Sequence, residues 1–222
     1  MNSRYKFLSI LKYINLFLIF ASVLFVNGNL FSQIIYPEKI NTVSVPENMT
    51  HNGNISKAFK WTDNSTENYI LYCETDTYGK QNGDYFSGSK DFYIYYFRIN
   101  DRQTDLVWKI SDFVKDCEFD IETHFIDDAL SVTDLNENGI PEIWTMYRFG
   151  CKSDVSPWPL KLIMYEGKEK YAIRGETRDY SQSYADEQDS PKKVDEKLKN
   201  SGVEILNYSQ TLWKKYNIPE LK

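Results

Sequence analysis

Histidine is nearly absent: only His51 and His124 occur in 222 residues. A zinc site or a Ser-His-Asp relay would rest on His124 alone, and no HExxH pattern or nucleophile elbow accompanies it. Positive charge is also short. Lys and Arg total 26 against 32 Asp and Glu, a net charge of −6, and an acidic chain repels nucleic acid and anionic lipid alike. Internal repeats and long linkers are missing, which excludes solenoids and leaves one domain of ordinary size. A second long apolar run is missing too.

The single apolar run, from Leu16 to Val26, follows Arg4, Lys6 and Lys12 and gives way to small and polar residues over Asn27 to Gln33. That is the layout of a secretory signal peptide covering residues 1–33. The run is short and closely followed by polar residues, so no integral span is expected once the leader is gone, an uncleaved anchor being the alternative. No cysteine near its end offers a lipid attachment point. Removing the leader's three cations takes the net charge from −6 to −9. The expected location is outside the cytoplasm: periplasm, cell surface or secreted.

Three cysteines remain, Cys73, Cys117 and Cys151. In an oxidising compartment an odd count reads as one bridge and one buried thiol. Cys117 and Cys151 each close a predicted strand while Cys73 lies inside one, which favours a Cys117–Cys151 disulfide. Three buried free thiols are the alternative.

The rest of the chain reads as mainly β (α+β). Residues 34–56 mix Pro, Asn and Gly without apolar periodicity, giving an irregular N-terminal arm ahead of a β-rich domain over 57–222. Ala58 to Thr62 and Asn68 to Thr75 form a hairpin over Asp63-Asn64-Ser65. Residues 76–90, with three glycines and many polar groups, read as a loop. Phe92 to Ile99 pairs with Leu106 to Val114. Phe119 to Ile126, Ala129 to Thr133 and Ile143 to Phe149 follow as strands, and Leu160 to Tyr165 pairs with Lys170 to Arg174. Only the end turns helical, over 191–216: Asp189 or Ser190 caps a start at Pro191, Gly202 breaks the region in two, and Ile205, Tyr208, Leu212 and Tyr216 recur at helical spacing. The expected architecture is an antiparallel sheet of successive hairpins with a C-terminal helix packed on it.

One local pattern carries a definite chemistry. From Asp134 to Glu142 the chain reads DLNENGIPE, with oxygen-bearing side chains at positions 1, 3, 5 and 9 and glycine at position 6. Ca²⁺ needs six to eight oxygens, and a tight turn supplies them most economically from alternate residues. Asp134, Asn136, Asn138, the carbonyl of Ile140 and Glu142 are the candidate ligands. The flanking strands match calcium loops between strands, whereas an EF-hand would need helices and a glutamate where Thr145 stands. With two asparagines among the ligands, affinity would be weak and the role structural. A plain Asn-Gly turn fits the same residues.

Other constellations are less specific. Asp120, Glu122 and His124 share one strand face, as solvent faces also do. Asp127, Asp128, Glu142 and Asp154 offer carboxylates for glycoside chemistry, with nothing local to choose an acid and a base. Aromatic residues make up 16% of the chain. Trp61, Trp108 and Trp144 fall in predicted strands and belong to a core, while Trp158, between Pro157 and Pro159, is the candidate to stack on a sugar ring.

Several segments in order, LVWKISDFVKDCEFDI from Leu106, the SVTDLNENGIPEIW loop, CKSDVSP from Cys151 and LKLIMYEGKEKYAIRG from Leu160, resemble an exported flavobacterial family labelled as surface polysaccharide biosynthesis proteins. The resemblance spans roughly residues 106–175 and implies a part in making or displaying lipopolysaccharide. It implies no catalytic residues. The expected function is therefore that of an exported accessory protein, binding cell-envelope glycan or an envelope assembly protein. The alternatives are a hydrolase or transferase working through Asp127, Asp128 and Glu142, and a secreted inhibitor or adhesin.

Overall fold

In the computed structural model the chain divides into two units, Met1–Gln33 and Ile34–Lys222. Residues 34–63, 65–83, 85–179 and 190–218 are described, so the signal peptide expected over 1–33 lies outside them. Among the described residues no helix is long and apolar enough to cross a membrane.

The domain is mainly antiparallel β, as the alternating pattern predicts, but it contains two six-stranded sheets where one was expected. Sheet I holds β1 (Glu38–Ile40), β2 (Asn54–Asp63), β3 (Thr66–Glu74), β4 (Tyr78–Asn82), β5 (Tyr85–Asn100) and β6 (Gln103–Cys117). Its order is β1-β2-β3-β5-β4, with β6 on β5. Sheet II holds β7 (Asp120–Phe125), β8 (Ser131–Thr133), β9 (Glu142–Lys152), β10 (Pro159–Glu166), β11 (Glu169–Glu176) and β12 (Lys192–Val194). Its order is β12-β11-β10-β9-β7, with β8 also on β9.

The sequence of β3 shows why two layers form. Ile70 and Tyr72 point one way, Tyr69, Leu71 and Cys73 the other, and all five are at most 4% exposed. A strand buried on both faces needs cover on both sides. One face meets sheet II in a core of Phe59, Tyr72, Phe92, Trp108, Phe125 and Tyr147, among others. The other is covered by the arm, whose Met49, Val45 and Ile40 pack on Tyr69, Leu71 and Tyr95. The arm is consequently less irregular than its composition implies: β1 pairs with β2, and Ile35 bridges Val132.

The far face of sheet II carries the helices, α1 (Glu196–Lys199) and α2 (Val203–Tyr216). As the helical spacing predicts, Ile205 and Leu212 are buried, with Tyr208 and Tyr216 packed beside them. Gly202 does separate the two helices, adopting a φ of 107° that disfavours other residues. The region differs from expectation at its start, where residues 192–194 pair with β11 as β12 and Asp195 stands at the N-cap. Residues 76–90 also differ: β4 and the start of β5 form a hairpin. Its ladder pairs polar residues and glycines with exposed aromatics such as Tyr85 and Phe86, which leaves no buried apolar alternation to read.

The Cys117–Cys151 disulfide is present, with Cα atoms 5.6 Å apart, joining the end of β6 to the end of β9 and so one sheet to the other. Cys73 is a free thiol, fully buried, and burial pushes its pKa up to about 12, which makes it unreactive. Replacing Cys117 and Cys151 together by serine should lower stability by about 3 to 4 kcal/mol, the loop-closure value for a bridge of this span. Chemical denaturation measures that loss, and non-reducing peptide mapping should recover the two cysteine peptides joined.

Candidate functional site

Among the described residues, a concave surface lies where the β7 edge of sheet II approaches β1 and β2 of sheet I. Strand β7 ends at Phe125, which is fixed in the core against Tyr72, ring centroids 4.3 Å apart and nearly parallel. The chain then makes a 3-10 turn, Asp127–Ala129, that buries Ala129 and leaves Asp127 and Asp128 outward. From β2, Lys57 reaches across to the carbonyl oxygen of Phe125 at 3.2 Å and to Asp127 Oδ1 at 2.5 Å. From β1, Lys39 donates to Asp127 Oδ2 at 3.0 Å.

Two adjoining clefts open around this clamp. One, of about 330 Å³, is lined by Lys57, His124, Asp127, Asp128, Arg148 and Tyr216. The other, of about 460 Å³, adds Tyr36, Lys39, Phe59 and Lys215. His124 and Arg148 are cross-strand neighbours on β7 and β9, both on the helix-facing side. Tyr216 donates its hydroxyl to the carbonyl oxygen of Asp128 at 2.6 Å, tying α2 to the turn, while Tyr36 is 66% exposed at the rim. Each cleft falls in the size range of small-ligand sites.

The charge state of Asp127 follows from this geometry. Burial alone would raise its pKa, but the hydrogen bonds and charges of Lys57 and Lys39 outweigh it and hold the carboxyl below the usual range. Asp127 is therefore an ionised positioning group, poorly suited to donating a proton. Acid–base hydrolysis needs two carboxyls whose environments push their pKa values apart. Of the carboxylates considered for that role, Glu142 is the one that burial pushes up, and it lines neither cleft.

The Asp134 loop joins β8 to β9, strand to strand as expected, with Thr133 opposite Glu142. Asp134 Oδ1 accepts the N–H of Asn138 at 3.0 Å and Oδ2 that of Gly139 at 3.0 Å, so its carboxylate organises the turn. Gly139 has a φ of 79°, the reason position 6 is glycine. Asn138 Oδ1 in turn accepts the N–H of Ile140 at 2.7 Å. Asp134, Asn136 and Asn138 are thus brought together around the turn. Glu142 is not: it is fully buried beneath the loop, accepting from Thr133 Oγ1 at 2.7 Å and from the Leu135 N–H. Its place beside the asparagines is taken by Glu166, at the β10–β11 turn, which accepts from Asn136 at 2.8 Å and Asn138 at 2.6 Å.

Trp158, expected to offer an exposed ring, is only 8% exposed. The ring packs over Gly150, where an added Cβ would touch it at 3.4 Å, and Lys152 Nζ covers it 4.5 Å from the centroid. Flanking prolines marked a loop but carried no information about what the loop lies against. Trp61, Trp108 and Trp144 are core residues as predicted, 7%, 6% and 0% exposed. Sequence reading marked none of Lys39, Lys57, Arg148, Tyr36 and Tyr216 as site residues, although it placed Tyr216 on the C-terminal helix.

No family model, no curated protein and no solved structure matches the chain. The class established is a mainly antiparallel β-domain of two packed sheets with a C-terminal helix.

Asp127 yields a pH test with a definite sign. Its folded pKa lies below its unfolded value, so the ionised group stabilises the fold at neutral pH and that contribution is lost as pH falls below about 4. Urea denaturation across that range should show a shallower acid limb for Asp127→Asn than for wild type.

Proposed function

We propose that the protein is an exported, non-catalytic accessory protein of cell-surface polysaccharide biosynthesis or display, and that it binds envelope glycan in the Asp127 clefts. The observation that carries this reading is the lining of those clefts. Tyr36 and Tyr216 supply aromatic surface, and Lys39, Lys57, Arg148, Lys215, Asp127 and Asp128 supply donors and acceptors around it. Sugars are held by this combination, rings against aromatic faces and hydroxyls against fixed polar groups. The lysine clamp on Asp127 and the sealed position of Glu142 weigh against the hydrolase or transferase alternative. The resemblance of residues 106–175 to exported surface-polysaccharide proteins supplies the biological setting.

The test is calorimetric titration with polysaccharide extracted from the producing bacterium's envelope. Tyr36→Ala, at an exposed position, should weaken binding about tenfold without altering the melting temperature. A wild-type protein that takes up no envelope polysaccharide would dispose of the proposal.

The Asp134 loop enters the same proposal as a structural calcium site. Asp134, Asn136, Asn138 and the Ile140 carbonyl supply oxygens, and Glu166 replaces Glu142 as the second carboxylate within reach. Two ligand charges give an affinity of extracellular grade, about 0.1 to 1 mM. Chelation at about millimolar calcium should lower the melting temperature of the wild type and leave Asp134→Ala unchanged. Equal melting curves with and without chelator would remove calcium from the account.

A further inference from the structure

The two clefts beside β7 share a wall: Asp127, Asp128 and Tyr216 line both of them. Lys57, His124 and Arg148 complete the smaller cleft, while Tyr36, Lys39 and Lys215 stand in the larger. Four cations, Lys39, Lys57, Arg148 and Lys215, thus surround two carboxylates, in a chain whose overall net charge is −6. The local excess of positive charge runs against the sign of the whole protein. Lys39 and Lys57 moreover share Asp127 between them, at 3.0 and 2.5 Å, so one of their two charges is left uncompensated by it.

The groups differ in how far solvent screens them. Asp128 is exposed at the shared wall, and so is Lys215 beyond it. Arg148 is 8% exposed, on the helix-facing side of β9, with His124 as its cross-strand neighbour. The end of the long helix, through Tyr216 and Ile218, closes the smaller cleft over it. A charge held away from water acts several times more strongly on a nearby ion than one in bulk solvent, so Arg148 outweighs Asp128 inside this cleft. Guanidinium also presents five N–H donors in one plane, enough to hold an internal partner and a ligand together.

Given glycan binding at Asp127, as proposed above, we propose that the glycan is acidic: Arg148 and Lys57 hold its carboxylate or phosphate group in the smaller cleft, and the adjoining ring lies against Tyr36 in the larger. Lys39 and Lys215 strengthen the field across the shared wall. A uronic-type carboxylate and a phosphate ester present the same chemistry to these donors, and chemical treatment of the ligand separates them.

The experiment titrates the full protein calorimetrically with three samples of one envelope polysaccharide: untreated, carboxyl-reduced and stripped of phosphate. Binding lost on carboxyl reduction identifies an acidic sugar, and binding lost with the phosphate identifies a phosphate ester. Added sodium chloride should weaken binding of the untreated sample. Arg148→Gln should weaken it at least tenfold, as loss of a charge-assisted hydrogen bond does. Because Arg148 is buried, two exposed positions give an independent reading at unchanged melting temperature: Lys215→Ala should bind about threefold more weakly and Asp128→Asn about threefold more tightly. Lys80→Ala removes the same charge from β4, away from the β1 edge of sheet I, and should bind as wild type does. Equal binding of all three samples overturns the acidic assignment while glycan binding stands, and binding of none removes both. The assignment also falls if Lys215→Ala binds as wild type does, or if Lys80→Ala weakens binding as much as Lys215→Ala.

Discussion

The aromatic seam between the two sheets is the constraint from which the rest follows. Tyr72 is fully buried, stacks on Phe125 within 2° of parallel, and exchanges a 2.9 Å hydrogen bond with Thr145 of the opposite sheet. Phe92 meets both Phe125 and Tyr147 edge-on. Large flat rings bury more area than aliphatic side chains but tolerate few relative orientations, and a buried hydroxyl must find its partner. Together these requirements fix the separation and the register of the sheets. Because Phe125 is the last residue of β7, the same stack fixes the carbonyl oxygen that Lys57 grips and the turn that presents Asp127 and Asp128. The cleft is a product of core packing as much as of its own residues.

That dependence explains which features could be read from the chain. Strands with one solvated face, such as β7 with Ile121, Thr123 and Phe125 on its inner side, announce themselves by alternation. The disulfide was legible because both cysteines close strands. The cleft was not, because Lys39, Lys57, Asp127, Arg148 and Tyr216 come from five separate elements with no local spacing between them. The count of sheets was hidden for a related reason: a strand buried on both faces looks the same in one-dimensional pattern whatever covers it.

The calcium-type loop shows a finer limit. Spacing alone makes Glu142 the natural ninth-position ligand, yet residue 142 is already the first residue of β9. Its parity is that of Trp144 and Met146, both buried against the helices, so register sends its side chain inward. There it serves a chain of donors, with Trp144 Nε1 giving to Thr133 Oγ1 and the Thr133 hydroxyl giving to the Glu142 carboxylate. A turn's sequence can specify its own backbone, as Asp134 and Gly139 do here, without specifying where the next strand points its side chains.

The aromatic content acts outside the core as well. Lys109 lies 5.2 Å from the Tyr93 ring and 5.8 Å from that of Tyr95, and Lys170 6.0 Å from Tyr165. A ring face attracts a cation without neutralising it, whereas a carboxylate removes most of its field. Lysines held this way lose rotamer freedom before any ligand arrives, which lessens the entropy that binding must still overcome. In a chain with net charge −6, cations ordered over rings are better placed to meet acidic or hydroxylated groups than cations free in solvent. The residues that make this protein difficult to assign by motif, its many tyrosines and phenylalanines, are those that order the lysines at its surface.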